Sequence, residues 1–182
     1  MSGADLLARL RGWLRPAPAP VFVPEPADAP ERRVKERRGA APGTRVLIID
    51  DSATIVALLR RMLRQNELAT LEAGDAEAGL EIARTERPDL IFLDIVLPGM
   101  NGFAALRALR RDPATRDIPV IMISGNEQAT EQFYAHRIGA DDFLKKPFSR
   151  AEVFARIERL LDPDRVPRRI QPAAAGGETQ PA

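Results

Sequence analysis

Cysteine is absent from all 182 residues, which excludes disulfides and thiolate metal sites and is compatible with a reducing compartment. No apolar run approaches the ~20 residues that would span a bilayer. The opening residues 1–14 carry an acid and scattered arginines with no uninterrupted apolar core, so they make a poor secretory signal. A cytoplasmic location is the expectation. No internal repeat is visible. Charge of one sign is also lacking: the formal net charge is +1. It is spread unevenly, with nine Lys/Arg against five Asp/Glu in residues 1–45, fifteen against eighteen in 46–161, and three of each in 162–182. A mildly basic leader thus precedes a mildly acidic centre, and neither is a nucleic-acid signature by itself.

What is present is ordinary for a globular chain, 45% hydrophobic and 29% charged residues, enough for one domain plus extra segments. Residues 1–15 read as a short amphipathic helix. Leu6, Leu7, Leu10, Trp13 and Leu14 share one face and arginines the other. At about ten residues it is marginal alone in water, so it suits docking into a groove, lying on an anionic membrane, or a frayed leader that contacts nothing specific. Prolines recur from 16 to 30 and predict an extended tether. A basic cluster at 31–38, broken by Glu31 and Glu36, reads as solvated linker or as a contact for nucleic acid or phospholipid. Gly39-Ala40-Ala41-Pro42-Gly43 marks the domain boundary, so residues 16–44 are predicted as a disordered linker.

Beyond it, strand and helix patterns alternate five times. Residues 45–49, 68–72, 90–93, 118–123 and 142–145 predict strands. Helices are predicted from Ser52 to about 65, from 75 to 85, from 102 to 111, over 127–137, and from Ser149 to about 161. Ala78, Leu80, Ile82 and Ala83 are expected inward on the second helix. Pro147 stops the last strand. Such alternation implies an α/β, doubly wound parallel sheet with helices on both faces, a (βα)5 three-layer sandwich. The domain is predicted to span 45–161 and the tail 162–182 to be disordered.

In such sheets ligands bind beyond the carboxyl ends of the strands. Four strands end there in chosen polar groups: Asp50-Asp51, Asp94, Ser124 and Lys146. Three carboxylates at one edge repel unless they share a cation, and Mg²⁺ is the natural candidate because it takes hard oxygen ligands and phosphate oxygens. One carboxylate then remains free to attack phosphorus. Lys146 supplies a positive point charge for phosphoryl oxygens and Ser124 a hydrogen bond to them. Each residue alone has a dull reading as a loop acid, a cap or a surface lysine. All of them at matching strand ends do not.

Residues 46–161 closely resemble the receiver domain of bacterial two-component response regulators, the CheY-like family. The motifs that carry the resemblance are Ile49-Asp50-Asp51-Ser52, Leu93-Asp94-Ile95-Val96-Leu97-Pro98-Gly99-Met100-Asn101-Gly102, Pro119-Val120-Ile121-Met122-Ile123-Ser124-Gly125 and Gly139-Ala140-Asp141-Asp142-Phe143-Leu144-Lys145-Lys146-Pro147-Phe148. The resemblance implies the flavodoxin-like strand order 2-1-3-4-5. It implies Asp94 as phosphoacceptor and Mg²⁺ held by Asp51 and Asp94 directly, by Asp50 largely through water, and by the Val96 carbonyl. Ser124 is then the switch hydroxyl, Phe143 the switch aromatic, and Lys146, before a cis Pro147, the lysine that holds the phosphoryl group. Val96 and Asn126 flank that group in the family; an apolar Val96 cannot orient a hydrolytic water, whereas Asn126 could hydrogen-bond one, so self-dephosphorylation is expected to be moderate to slow.

The lone histidine, His136, is expected on the surface, and the donor histidine belongs to another protein, a cognate histidine kinase or phosphotransfer protein. A downstream target protein is expected on the face made by the fourth helix, fifth strand and fifth helix. No output module fits outside the central region, so the first reading is a stand-alone regulator similar to those of chemotaxis and twitching motility, with no enzymatic activity beyond self-phosphorylation and self-dephosphorylation. An effector that binds membrane or nucleic acid through the leader and basic linker is the alternative. A phosphohydrolase of the haloacid dehalogenase type would need an Asp-x-Asp pair, and Asp94 is followed by Ile95 and Val96.

Overall fold

The computed structural model describes residues 39–125 and 129–169, with no side-chain description at 129–131. The leader helix, the proline-rich and basic linker up to residue 38, and Asn126 lie outside the described residues. The chain divides into the units Met1–Glu36 and Arg37–Ala182, and every described residue belongs to the second. Its elements are β1 (Arg45–Ile49), α1 (Ala53–Arg64), β2 (Ala69–Ala73), α2 (Ala76–Glu86), β3 (Leu90–Asp94), α3 (Gly102–Arg111), β4 (Val120–Ser124), α4 (Ala129–Arg137), β5 (Asp142–Lys145) and α5 (Arg150–Arg159). All strands pair in parallel in the order β2-β1-β3-β4-β5. This is the doubly wound, flavodoxin-like sandwich.

The apolar runs are continuous because the central strands are covered on both faces, and each face takes alternate residues. Leu47, Ile49, Ile91, Leu93 and Met122 meet α2 and α3 through Leu80, Ala83, Leu106 and Leu109. Val46, Ile48, Phe92, Ile121 and Ile123 meet α1 and α5 through Leu59, Leu63, Val153 and Ile157. Burying a side chain such as Phe92 contributes roughly 1.5–3 kcal/mol. Packing on the first face is close: a methyl group on Gly79 of α2 would sit 2.5 Å from the end of Ile49. Among the described residues, no helix is long and apolar enough to cross a membrane.

Helix starts follow the capping chemistry of the sequence. Asp75 accepts from the Ala78 amide at 2.7 Å, Asn101 from Ala104 at 2.9 Å, and Ser149 forms a reciprocal box with Glu152. Ser52 stands at the start of α1 but its side chain makes no capping bond; its amide instead donates to Asp50 Oδ1 at 2.9 Å. Ala78 faces solvent, and Ala76 and Gly79 take the inward places beside Leu80 and Ala83. Strand β2 runs one residue later than the alternation predicts, and β4 starts at Val120 because Pro119 offers no amide to the ladder.

The domain also extends past its predicted limits. Residues 162–169, expected as disordered tail, fold back under the amino-terminal edge of the sheet. Asp162 Oδ1 accepts from the amides of Asp164 and Val166, Oδ2 pairs with Arg168 Nε at 3.0 Å, and Leu161 bridges to Pro167. On the entry side the Ala41 amide donates to the Arg165 carbonyl at 3.0 Å. Arg169 reaches the buried Asp141, which Arg110 also grips at 2.7 Å. Burial pulls the Arg110 pKa down to about 10, against the attraction of Asp141, so the guanidinium stays charged at neutral pH. Asp141→Ala leaves that cation buried without its main partner. A loss of about 3–5 kcal/mol in urea unfolding is expected.

Candidate functional site

The parallel sheet brings the carboxyl ends of β1, β3, β4 and β5 to one edge, and with them Asp50, Asp51, Asp94, Ser124 and Lys146. Register fixes the neighbours: Asp94 lies opposite Ile123 and Ser124 opposite Lys145. The Lys146 amide donates to the Ser124 carbonyl at 2.7 Å, which carries Lys146 past the strand end and over the acids. Its Nζ lies 2.9 Å from Asp94 Oδ2 and 2.8 Å from Asp50 Oδ2. Asp50, Asp94 and the Ser124 side chain are buried, whereas Asp51 is exposed. The Lys146-Pro147 peptide is cis.

The loop after β3 is held tightly. The Ile95 amide donates to the Ile123 carbonyl at 3.0 Å and the Gly102 amide to the Ile95 carbonyl at 2.9 Å. Gly102 opens α3 so close to the strand that a Cβ there would lie 2.0 Å from the Asp94 carbonyl oxygen. Only glycine allows this approach, so the Gly102 hydrogen is part of what aims Asp94. The sequence carries glycine at this position, but nothing local in the run Pro98-Gly99-Met100-Asn101-Gly102 names the contact with Asp94. Val96 stands at the mouth, 72% exposed, and Phe143 is half-buried beside Met122 across the β4–β5 pair. His136 is exposed on α4.

One carboxylate oxygen from each of Asp50, Asp51 and Asp94 lies within 4.8 Å of the others. Among the described residues, three negative charges face one ammonium, that of Lys146. Burial pushes the Asp94 carboxyl up and outweighs the contacts with Lys146 that pull it down. For Lys146, burial disfavours the charged amine, yet the contacts with Asp50 and Asp94 together exceed it and hold the pKa above the ordinary value. Asp50 Oδ2 is buried with no hydrogen bond of proper direction, although Lys146 Nζ is near. A buried, directionally unsatisfied carboxylate oxygen beside two more acids fits a hard divalent cation. The donor set therefore fits Mg²⁺, with a net deficit of positive charge for it to fill.

Comparison with known proteins agrees with this edge. Residues 46–158 match the model of the response regulator receiver domain. The chain belongs to that family, whose members are signalling domains of two-component phosphorelays rather than enzymes in the ordinary sense. It is 39% identical over 117 residues to Protein PilH of Pseudomonas aeruginosa, covering 64% of this chain and 97% of that protein. It is 36% identical over 130 residues to the phosphate regulon transcriptional regulatory protein PhoB of Escherichia coli, covering 71% of this chain but 54% of that one. The chain thus spans about half the length of the transcriptional regulators it matches. Among solved structures, the chemotaxis protein CheY4 of Vibrio cholerae superposes with a TM-score of 0.62 at 26% identity, covering 66% of this chain and all of that one. The receiver domain of the Pseudomonas aeruginosa sensor histidine kinase PA1611, solved with a magnesium ion in its active-site cleft, gives 0.59 at 28%, covering 64% and 95%.

The raised pKa of Asp94 has a consequence for stability. A carboxyl that binds its proton more tightly folded than unfolded contributes stability below its ordinary pKa of 3.8 and loses it as pH rises through the raised value. At neutral pH the ionised Asp94 therefore costs stability. Asp94→Asn is expected to melt higher than wild type in magnesium-free buffer at pH 7. Thermal melts from pH 7 down to 4 should show the gap closing.

Proposed function

We propose that the chain is a response regulator that accepts a phosphoryl group on Asp94 from a histidine kinase or phosphotransfer protein. The observation that carries this reading is the convergence of Asp50, Asp51 and Asp94 on one ammonium, Lys146, at the open edge of the sheet. The receiver-domain match supports Asp94 as the nucleophile; it ends β3, the central strand of the sheet, and its loop is held by Gly102. Its carboxylate oxygen forms a bond to phosphorus while the bond from phosphorus to the donor imidazole nitrogen breaks and the electron pair stays on that nitrogen. Lys146 and the Ser124 hydroxyl hold phosphoryl oxygens. Asp50, Asp51, Asp94 and the Val96 carbonyl would hold Mg²⁺, which when bound supplies charge neutralisation for the phosphoryl oxygens. The PA1611 receiver supports this assignment.

Phosphorylation adds about −1.5 to −2 charge at the edge. In this reading Ser124 is drawn toward the new oxygens and Phe143 follows, altering the surface of α4, β5 and α5 that a target protein binds. Likeness to PilH over nearly its whole length, and to a chemotaxis CheY, supports a cytoplasmic role in chemotaxis or pilus motility.

Incubation with acetyl phosphate and magnesium should add one phosphoryl group per chain that hydroxylamine removes, and none to Asp94→Ala. Lys146→Ala should slow labelling about 10²-fold, the typical loss when one charge-stabilising donor is removed. Labelling of Asp94→Ala at the wild-type rate would sink the reading. A second test uses the mouth of the site. Val96→Asn places a polar group beside the phosphoryl oxygens and is expected to speed phosphate release several-fold; an unchanged release rate would mean that position 96 does not set the lifetime.

A further inference from the structure

Asp141 precedes β5 and pins the start of the β4–β5 pair. Its amide donates to the Val120 carbonyl at 2.9 Å, and the Val120 amide donates back to Asp141 Oδ2 at 2.8 Å. From that closed ring the register runs upward through Ile121–Asp142 and Met122–Phe143 to Ser124–Lys145. The switch hydroxyl and the phosphoryl-holding lysine therefore stand on two strands whose alignment is fixed at the far end by one carboxylate. β5 needs such a pin more than the other strands do. It is a four-residue edge strand, bonded on one side only. Along its length the ladder to β4, the buried Leu144 and the pairing of Asp142 with Arg156 and Arg159 hold it, and Asp141 adds the pin at its start.

Two arginines hold that carboxylate, whose side chain is 1% exposed. Arg110 takes Oδ2 at 2.7 Å and is itself anchored to the Gly139 and Ile118 carbonyls. Arg169 takes Oδ1 at 3.1 Å and, through Nη1, the Arg116 carbonyl, also at 3.1 Å. Arg110 lies inside the family match and Arg169 eleven positions beyond its end at residue 158. Arg169 is delivered by the folded-back strap of residues 160–168, which Asp162 organises. The planar guanidinium fork spans the Asp141 carboxylate and the backbone before β4 at once, so it ties the lead-ins of both strands together.

We propose that Arg169 is a positioning residue for the phosphoryl site, keeping Ser124 and Lys146 aligned with Asp94 by fixing Asp141 at the opposite end of β4 and β5. This inference rests on the phosphoacceptor reading of Asp94. The magnesium-binding acids stand on β1, β3 and their loops, outside the pair that Arg169 ties. Loss of Arg169 thus affects the handling of the phosphoryl group and not the binding of the cation. Arg110 still pairs with Asp141 when Arg169 is removed, so the fold survives the change.

The test uses full-length wild type, Arg169→Ala, Arg169→Lys and Asp162→Ala, each verified as folded by circular dichroism at the assay temperature. Labelling by acetyl phosphate is followed at saturating donor, and half-saturating magnesium is measured for each. Arg169→Ala is expected to lower the maximal rate at least fivefold with half-saturating magnesium unchanged. Arg169→Lys recovers part of the rate, since one ammonium replaces the charge but not the fork, and Asp162→Ala shifts the rate the same way as Arg169→Ala. Wild-type rates in Arg169→Ala, whatever its melting temperature, would overturn the proposal and leave the Asp94 reading intact. A parallel loss of magnesium affinity, with no recovery in Arg169→Lys, would reduce the strap to a general stabiliser and overturn it too. Absence of label on wild type would overturn the Asp94 reading and this one with it.

Discussion

The structure depends on keeping three carboxylates beside one ammonium at the end of an apolar sheet. Two like charges about 4 Å apart repel by roughly 4 kcal/mol at the effective dielectric of a protein surface. Lys146 touches two of the acids and leaves the edge short of positive charge. Such an arrangement survives only where the backbone cannot relax away from it. That rigidity comes from β1, β3 and β4, whose side chains are buried almost without exception on both faces, and from a loop closed against Asp94 by Gly102. The electrostatic strain is stored by packing.

Much of this was legible because chemistry at strand ends is written in one-residue steps. A run such as Leu90-Ile91-Phe92-Leu93 ends in Asp94, and the parallel fold sends every such ending to one edge. The alternation of strands and helices gave architecture, and the clustered acids pointed to a cation. What stayed hidden depended on distance across the chain. Ser52 has a capping residue's position, but the tertiary demand of Asp50 uses its amide instead. Ala78 fits a helical stripe, yet Gly79 takes the inward place because Ile49 leaves no room for a side chain. Asp162 through Arg169 reads as loop, rich in proline and charge; Asp162 organises it locally, but Arg169 is held by partners 28 or more residues away, Asp141 and Arg116. No local pattern contains those pairings.

The two ends of the sheet divide the work. At the carboxyl edge the groups are charged and under-compensated. At the amino edge they are charged and closed: Asp141 is satisfied by two arginines and by Val120. β4 and β5 run between the two. On the proposed reading, a strand pair fixed at its base would respond at its tip, where Ser124 stands opposite Lys145.

The Ala41–Arg165 hydrogen bond brings the entry and exit of the folded unit to one spot on the amino edge. A module whose two ends meet can be spliced into a longer polypeptide, or lengthened on either side, without bending its sheet. Chain added at either described end then starts from the pole opposite Asp94.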